Sequence, residues 1–201
     1  MAVPDTEPNR RERKAQRTRR EIVRAAAELV LEEGYERATI ARIADRADLA
    51  TRTVTTRFPT KEEIFFEGSA DALDRIERIL REGEGDLVDR LRAWIVEMAE
   101  VNADKQDDAE LRRLRSRAIA GDPDLRALFA QQFDRGYVAI ANAVAADTGE
   151  SPDETGPQMV ASAAIAMIRV VERLAAEGDD EAALRALERG FEVLRGALTA
   201  L

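Results

Sequence analysis

Apolar residues recur along this chain at three- and four-residue spacing, with charged and small polar residues filling the positions between. That period predicts amphipathic helices throughout, hence an all-α fold. Ile22, Ala26, Leu29 and Val30 form a first stripe that stops at Gly34-Tyr35. Ile40, Ile43, Ala44 and Ala47 form a second, and Val54 and Phe58 make an i, i+4 pair after a break at Asp48-Leu49-Ala50. Farther on, turn signals at Gly83-Glu84-Gly85, Gln106-Asp107-Asp108, Gly121-Asp122-Pro123, Thr148 to Pro152 and Gly178-Asp179-Asp180 divide the remainder into five or six helices.

Helix starts are marked as well. Thr18-Arg19-Arg20-Glu21 and Thr60-Lys61-Glu62-Glu63 each place a hydroxyl at the cap and a carboxylate three residues on. They predict one helix beginning near Thr18 and another running from Lys61 to Leu80. Asp122 before Pro123 has the cap-then-proline form, and Ser151-Pro152-Asp153-Glu154 repeats it. Pro157 moves the regular part of that later helix to about Gly156.

Residues 39–58 carry the clearest functional signal. Two short helices joined by a tight turn make a helix-turn-helix, and with Val54 and Phe58 turned inward the outer face holds Arg52 and Thr56, flanked by Thr53 and Thr55. A helical hairpin with a merely solvated face has the same pattern, so the flanking residues matter. Residues 16–64 resemble the N-terminal domain of the TetR family of bacterial transcriptional regulators. The resemblance is carried by Thr18-Arg19, Ile22, Ala25-Ala26, Leu29, Gly34-Tyr35, Thr39, Ile43-Ala44, Ala47, Thr53, Phe58-Pro59 and Lys61-Glu62-Glu63-Ile64. Three positions depart from the family pattern. Asp48 stands at the usual turn glycine, Ala50 at a capping serine, and Thr55 at a tyrosine that touches phosphate. Aspartate tolerates the left-handed turn at some cost, whereas Ala50 has no side-chain acceptor for the first amides of the second helix.

Charge separates along the chain. Residues 1–61 hold 14 Lys and Arg against 10 Asp and Glu, a surplus of +4, whereas residues 62–201 hold 17 against 30, a balance of −13. Only the first part has a basic footprint suited to phosphate. Residues 1–17, with Arg10-Arg11-Glu12-Arg13-Lys14 and Arg17, read as a disordered basic arm that tracks DNA or, alternatively, only solubilises. For base readout the residue types favour Arg52, which can grip guanine with two hydrogen bonds, and Thr56, whose methyl can meet thymine's. Thr53 is a lesser candidate. Thr39, Thr55, Arg57 and Lys61 suit phosphate.

The chain has no cysteine and no histidine. Disulfides, thiol redox sensing, Cys/His metal sites and Cys- or His-dependent catalysis are thereby excluded, and no metal or cofactor is expected. The remaining carboxylates, lysines and hydroxyls show no catalytic spacing, so the chain reads as a non-enzyme. Its longest apolar or small-residue stretch, Met159 to Ile168, is half of what a bilayer needs, and a soluble cytoplasmic protein without membrane partners is expected.

In the second half, two stripes stand out: Leu87, Leu91, Trp94, Ile95, Met98 and Val101, then Leu125, Leu128, Phe129, Phe133, Tyr137, Ile140 and Val144. They form core, and Trp94, Met98, Phe133 and Tyr137 are also the kind of side chain that lines an apolar pocket. Arg169 interrupts the apolar run from Met159 to Leu174, where it can pair with Glu172, hold an anionic ligand or face solvent. In TetR-like proteins this half senses a ligand and dimerises through the last two helices. Residues 110–178 resemble more weakly a subclass associated with acyl-CoA-like ligands, which implies a fatty acyl or acyl-CoA effector with Arg112, Arg113 or Arg115 near its anion. A helix salt-bridge face accounts for those arginines equally well. Ala161, Ser162, Ala163, Ala164 and Ala166 permit close helix approach, and Leu184, Leu187, Phe191, Leu194 and Leu198 make the last helix amphipathic.

The expectation is therefore a basic arm (1–17), a three-helix helix-turn-helix domain (18–64) and a helical ligand-binding and dimerisation domain (65–201). Together they form a dimeric regulator, most simply a repressor, of a palindromic DNA site released by a small effector. The alternative is a helical carrier of apolar ligands that never binds DNA.

Overall fold

A computed structural model of the chain describes residues 10–66, 68–104 and 109–201, and every regular element among them is a helix. The helices are α1 (Arg10–Glu33), α2 (Ile40–Arg46), α3 (Thr51–Arg57), α4 (Lys61–Phe66), α5 (Ser69–Glu82), α6 (Leu87–Asp104), α7 (Ala109–Gly121), α8 (Pro123–Thr148), α9 (Thr155–Glu177) and α10 (Asp180–Thr199). They fall into two compact units, one ending at Phe65 and the other running from Phe66 to Leu201.

The first unit packs α1 to α4 around Ile22, Ala26, Leu29, Ile43, Val54, Phe58 and Ile64, all at most 2 % exposed. Burial at this density explains why helices as short as α2 and α3 hold, since seven residues alone are too few to be stable in water. One expectation fails here. Residues 10–17 are not a disordered arm but the first two turns of α1, and Thr18 lies inside that helix rather than at its cap. Arg, Glu, Lys, Ala and Gln are all good helix formers, no breaker intervenes between Pro8 and Gly34, and Arg17 braces Glu21 one turn on at 2.9 Å. Residues 1–9 of the expected arm lie outside the described residues. The stop at Gly34 holds, with φ 89° and its amide on the Val30 carbonyl at 2.8 Å.

The expected helix from Lys61 to Leu80 is also corrected. It is two helices, α4 and α5, parted at Gly68, whose φ of 82° is left-handed. A side chain there would be strained, so the break is encoded by the glycine itself.

In the second unit Ile76, Leu80, Leu87, Leu91, Ile140, Val144, Val160, Ala164, Phe191 and Leu194 make one core. Trp94, Phe133 and Tyr137 pack against it partly buried. The helix α9 lies so close to α10 that a Cβ on Gly190 would meet Met167 Cγ at 2.3 Å. Asp122 caps α8 as expected, accepting from the amides of Asp124 and Leu125 at 3.0 Å each. At α9, Glu154 rather than Ser151 takes the cap position, and Pro157 sits in the first turn, where no amide donor is needed. The turn signal at 106–108 lies outside the described residues. Arg90 is a charged group in this core: its guanidinium donates to the Leu80 carbonyl at 2.7 Å and pairs with Asp147, so no buried donor is left idle.

Candidate nucleic-acid interface

The two helices of the motif are joined by three backbone devices. Thr39 caps α2, its hydroxyl oxygen accepting from the Arg42 amide at 3.4 Å. After α2 the chain reverses through Asp48, held left-handed at φ 53°, while the Leu49 amide reaches back to the Ala44 carbonyl at 2.9 Å. Ala50 then takes the extended conformation of a cap at φ −67° and ψ 139° but makes no side-chain cap bond. The turn therefore survives without its usual glycine, and the start of α3 depends on backbone and solvent alone.

With Val54 and Phe58 buried, α3 turns Thr51, Arg52, Thr55, Thr56 and Arg57 outward, and Thr53 lies half-buried at the edge. The side chains of Arg52 and Arg57 make no hydrogen bond or ion pair with any described residue. Their guanidiniums are thus available to a partner. Thr56 donates its hydroxyl to the Arg52 carbonyl at 2.7 Å and Thr55 donates to the same oxygen at 3.3 Å. With those protons committed to the helix, each threonine offers a partner its methyl group and hydroxyl lone pairs. Thr39 is exposed beside its cap bond, and Arg17 is exposed beside Glu21.

Lys61 behaves differently from expectation. Its ammonium donates to the Tyr35 carbonyl at 2.8 Å and lies 3.6 Å from the centre of the Tyr35 ring, so it faces inward. The Tyr35 hydroxyl in turn donates to Glu62 at 2.6 Å, which holds the Glu62 carboxyl below the usual carboxylate range, and the Tyr35 ring meets Phe65 edge-on at 5.9 Å. This knot ties the end of α1 to α4. The capping-box start survives, with the Glu63 amide on Thr60 Oγ1 at 3.3 Å.

Sequence reasoning missed one cluster entirely. The last turns of α1 present Glu28, Glu32 and Glu33, and α2 presents Arg42 and Arg46 one helical turn apart. Arg42 grips Glu33 with both arms of its fork and also reaches the Arg37 carbonyl at 3.2 Å. Arg46 grips Glu32 in the same way, 2.7 Å on one arm, with Glu28 at 3.9 Å. The guanidinium beside each of Glu32 and Glu33 holds its carboxyl below the ordinary value. Nothing in the sequence pairs these residues, because their partnership depends on how two helices cross.

In the second unit, Trp94 donates its indole N–H to the Ala72 carbonyl at 3.2 Å, and Tyr137 donates its hydroxyl to Gln158. Phe133 meets Phe129 edge-on at 5.1 Å, and Phe129 stacks on Phe66 at 6.0 Å. Met98 is half-buried on α6. Arg115 on α7 and Arg169 on α9 both pull on Glu172, one turn beyond Arg169. Glu172 itself presents accessible surface on α9. Loss of water there outweighs both arginines and pushes its carboxyl up to about 7. Arg113 reaches Asp180 at 3.5 Å. A separate groove of about 610 Å³ between α5 and α8 is lined by Glu77, Arg81, Asp134, Val138 and Asn142 among others, and by none of the six side chains expected at a pocket. No helix among the described residues is long and apolar enough to cross a membrane.

Comparison with known proteins agrees with this geometry. Residues 22–67 match the family profile described as bacterial regulatory proteins of the tetR family, and residues 85–199 match that of the MftR C-terminal domain. The HTH-type transcriptional regulator TcmR of Streptomyces glaucescens is 30% identical over 203 residues, covering 96% of this chain and 89% of its own. Among solved structures, a TetR-family regulator from Syntrophomonas wolfei superposes with a TM-score of 0.60 at 18% identity, over 92% of this chain and 96% of its own. The SmeT–triclosan complex gives 0.60 at 21% identity, over 88% and 91%. Members of this family are transcriptional regulators, not enzymes, and are generally ligand-responsive DNA-binding repressors. With a helix-turn-helix whose second helix turns a polar face outward and carries Arg52 and Arg57 without side-chain partners among the described residues, followed by a helical second unit matched over residues 85–199, the chain belongs to the TetR family of bacterial transcriptional regulators.

Proposed function

We propose that this chain is a repressor that binds a palindromic operator as a homodimer and leaves it when a small apolar or acyl-type effector enters the second unit. The observation that carries the reading is the outer face of α3, where Arg52 has no partner among the described residues and Thr56 offers its methyl group. Arg52 reads guanine, Thr56 contacts a thymine methyl, and Thr53 lies at the edge of the read bases. Thr39, Thr55, Arg57 and Arg17 hold phosphate and so set register without reading sequence. Lys61 supports that surface from behind through Tyr35.

The dimer is assigned to α9 and α10. On α9 the exposed residues Met159, Ser162, Ala166 and Val170 line a face opposite the buried Val160, Ala164, Met167 and Ile168; of the small residues expected there, Ser162 and Ala166 lie on this face, whereas Ala161 and Ala164 are buried in the chain's own core. On α10, Leu184 and Val193 are 64 and 51 % exposed. A two-fold axis through these helices presents two recognition helices to successive turns of DNA, which makes the operator palindromic. The effector is assigned to the side chains that pack beside the core of the second unit, Trp94, Met98, Phe133 and Tyr137, with Arg115 and Arg169 toward its polar end. An effector shifts DNA affinity only by binding the two conformations unequally. The break at Gly68, between α4 and α5, is where such a difference is absorbed.

Selection of duplexes from a random pool by purified protein, repeated with Arg52→Ala, tests this. An enriched palindrome that loses about 1–3 kcal/mol of discrimination at one base pair per half-site in the variant supports the reading. Absence of enrichment, after any co-purified ligand is stripped, replaces it with the carrier.

A further inference from the structure

The first helix of a helix-turn-helix crosses the DNA backbone, and here that helix is α2. Its two arginines, Arg42 and Arg46, are 45 and 30 % exposed as side chains, which would let them meet phosphate on any sequence. Cations so placed supply sequence-independent binding, which competes with the operator at every other site in a genome. Yet both guanidinium forks are already occupied, Arg42 by Glu33 and Arg46 by Glu32, each through two hydrogen bonds. A carboxylate held by both arms of an arginine is a stand-in for phosphate, with the same charge sign and the same planar match to the fork.

We infer that Glu32 and Glu33 hold Arg42 and Arg46 off the DNA backbone and thereby suppress binding to non-operator sequence. The inference rests on the DNA-binding reading above. A phosphate seeking Arg42 or Arg46 has to displace a carboxylate and then sit beside its negative charge. Both carboxyls titrate below the ordinary range because of those same hydrogen bonds, so the pairs persist throughout the neutral range. Glu28, 3.9 Å from Arg46, adds a further negative charge to the same surface. Specificity arises in this arrangement from contacts withheld as much as from those made by Arg52.

The test uses the full-length chain and a duplex of scrambled sequence, with affinity measured by fluorescence anisotropy from 50 to 200 mM salt, on the order of the range over which phosphate contacts are read. The variant E32Q/E33Q keeps the side-chain shape while removing the charges and turning one acceptor oxygen of each pair into an NH2 donor, which breaks the two-bond grip on each arginine. Releasing two arginines to phosphate steepens the plot of log affinity against log salt by about 1.8 per bound protomer. A second variant, E36Q/D45N, makes the same charge change in the same unit at exposed side chains with no pairing to Arg42 or Arg46, and leaves the slope as in wild type. Equal slopes for E32Q/E33Q and wild type overturn the inference, and so does an equal steepening in E36Q/D45N, which would mark a general charge effect. Should E32Q/E33Q fold poorly, R42Q/R46Q decides. Arginines already withheld leave the wild-type slope unchanged when removed, whereas a fall of about 1.8 means they were on phosphate all along. A wild-type protein that binds no duplex overturns this inference together with the DNA-binding reading, whereas failure of the slope tests with wild-type binding intact leaves that reading standing.

Discussion

Replacing Ala50 by serine adds a single hydroxyl where α3 begins, and the structure sets how much that should stabilise the helix. Ala50 already has the extended backbone of a cap, so serine enters without rearrangement. A serine or asparagine cap is worth about 0.5–2 kcal/mol over alanine. The lower half of that range applies here. The Thr53 amide, which the new hydroxyl would accept from, already donates to the Ala50 carbonyl at 2.8 Å, so part of the gain is exchange of one partner for another. The Arg52 amide, the other donor within reach, gains outright. The expected increase is therefore about 0.5–1 kcal/mol. In a unit of roughly 60 residues that raises the midpoint of thermal unfolding by about 2–8 °C, since each kcal/mol is worth about 4–8 °C at that size. Hydrogen exchange of the Val54 and Phe58 amides in the full chain isolates the effect from the second unit, and both should slow by the factor that matches the gain. Unchanged or faster exchange would mean that solvent already satisfies the first turn as well as a hydroxyl does, and the account of Ala50 as a missing cap would be wrong.

Two further outcomes follow from the second unit. Glu172, with its carboxyl pushed up to about 7 from an ordinary 4.5, loses stability for the fold as pH rises through that window, because the unfolded chain releases its proton first. Glu172→Gln should therefore flatten the fall in melting temperature between pH 5 and 8 and stabilise at the upper end, with little change below 4.5; an unaltered pH profile would show that Glu172 stays hydrated. Arg90→Met keeps the aliphatic stem but leaves the Leu80 carbonyl without its donor and Asp147 without its guanidinium. Urea unfolding of the second unit should show a loss of about 2 kcal/mol, moderated because Asp147 can rehydrate.

Much of the site was legible because its determinants are local. A left-handed Asp48, an uncapped Ala50, the Asp122-Pro123 start and the stop at Gly34 each concern a few consecutive residues whose own conformational preferences decide the outcome. Legibility failed in two kinds of place. At Thr18 a capping-box pattern was overridden, since a cap matters only where a helix has nothing to continue into, and Arg10 to Arg17 are helix formers. At Gly68 a single glycine split a periodic run that read as one helix from Lys61 to Leu80.

Periodicity, capping residues and the segregation of charge belong to the chain itself, and they determined the all-helical class, the helix-turn-helix, the inward Val54 and Phe58, and the outward Arg52 and Thr56. Which charged groups are free to act was decided by tertiary structure alone. Lys61, Arg42 and Arg46 look in sequence like the same resource as Arg52, an exposed cation on a basic unit. Only the crossing of α1 with α2 and the approach of α4 to Tyr35 assign carboxylates and a carbonyl to the first three and leave Arg52 without a partner among the described residues. The physical reason is range: a helix period is set by neighbours three and four residues away, whereas an ion pair needs its partners within about 4 Å in space and is indifferent to how far apart they lie along the chain.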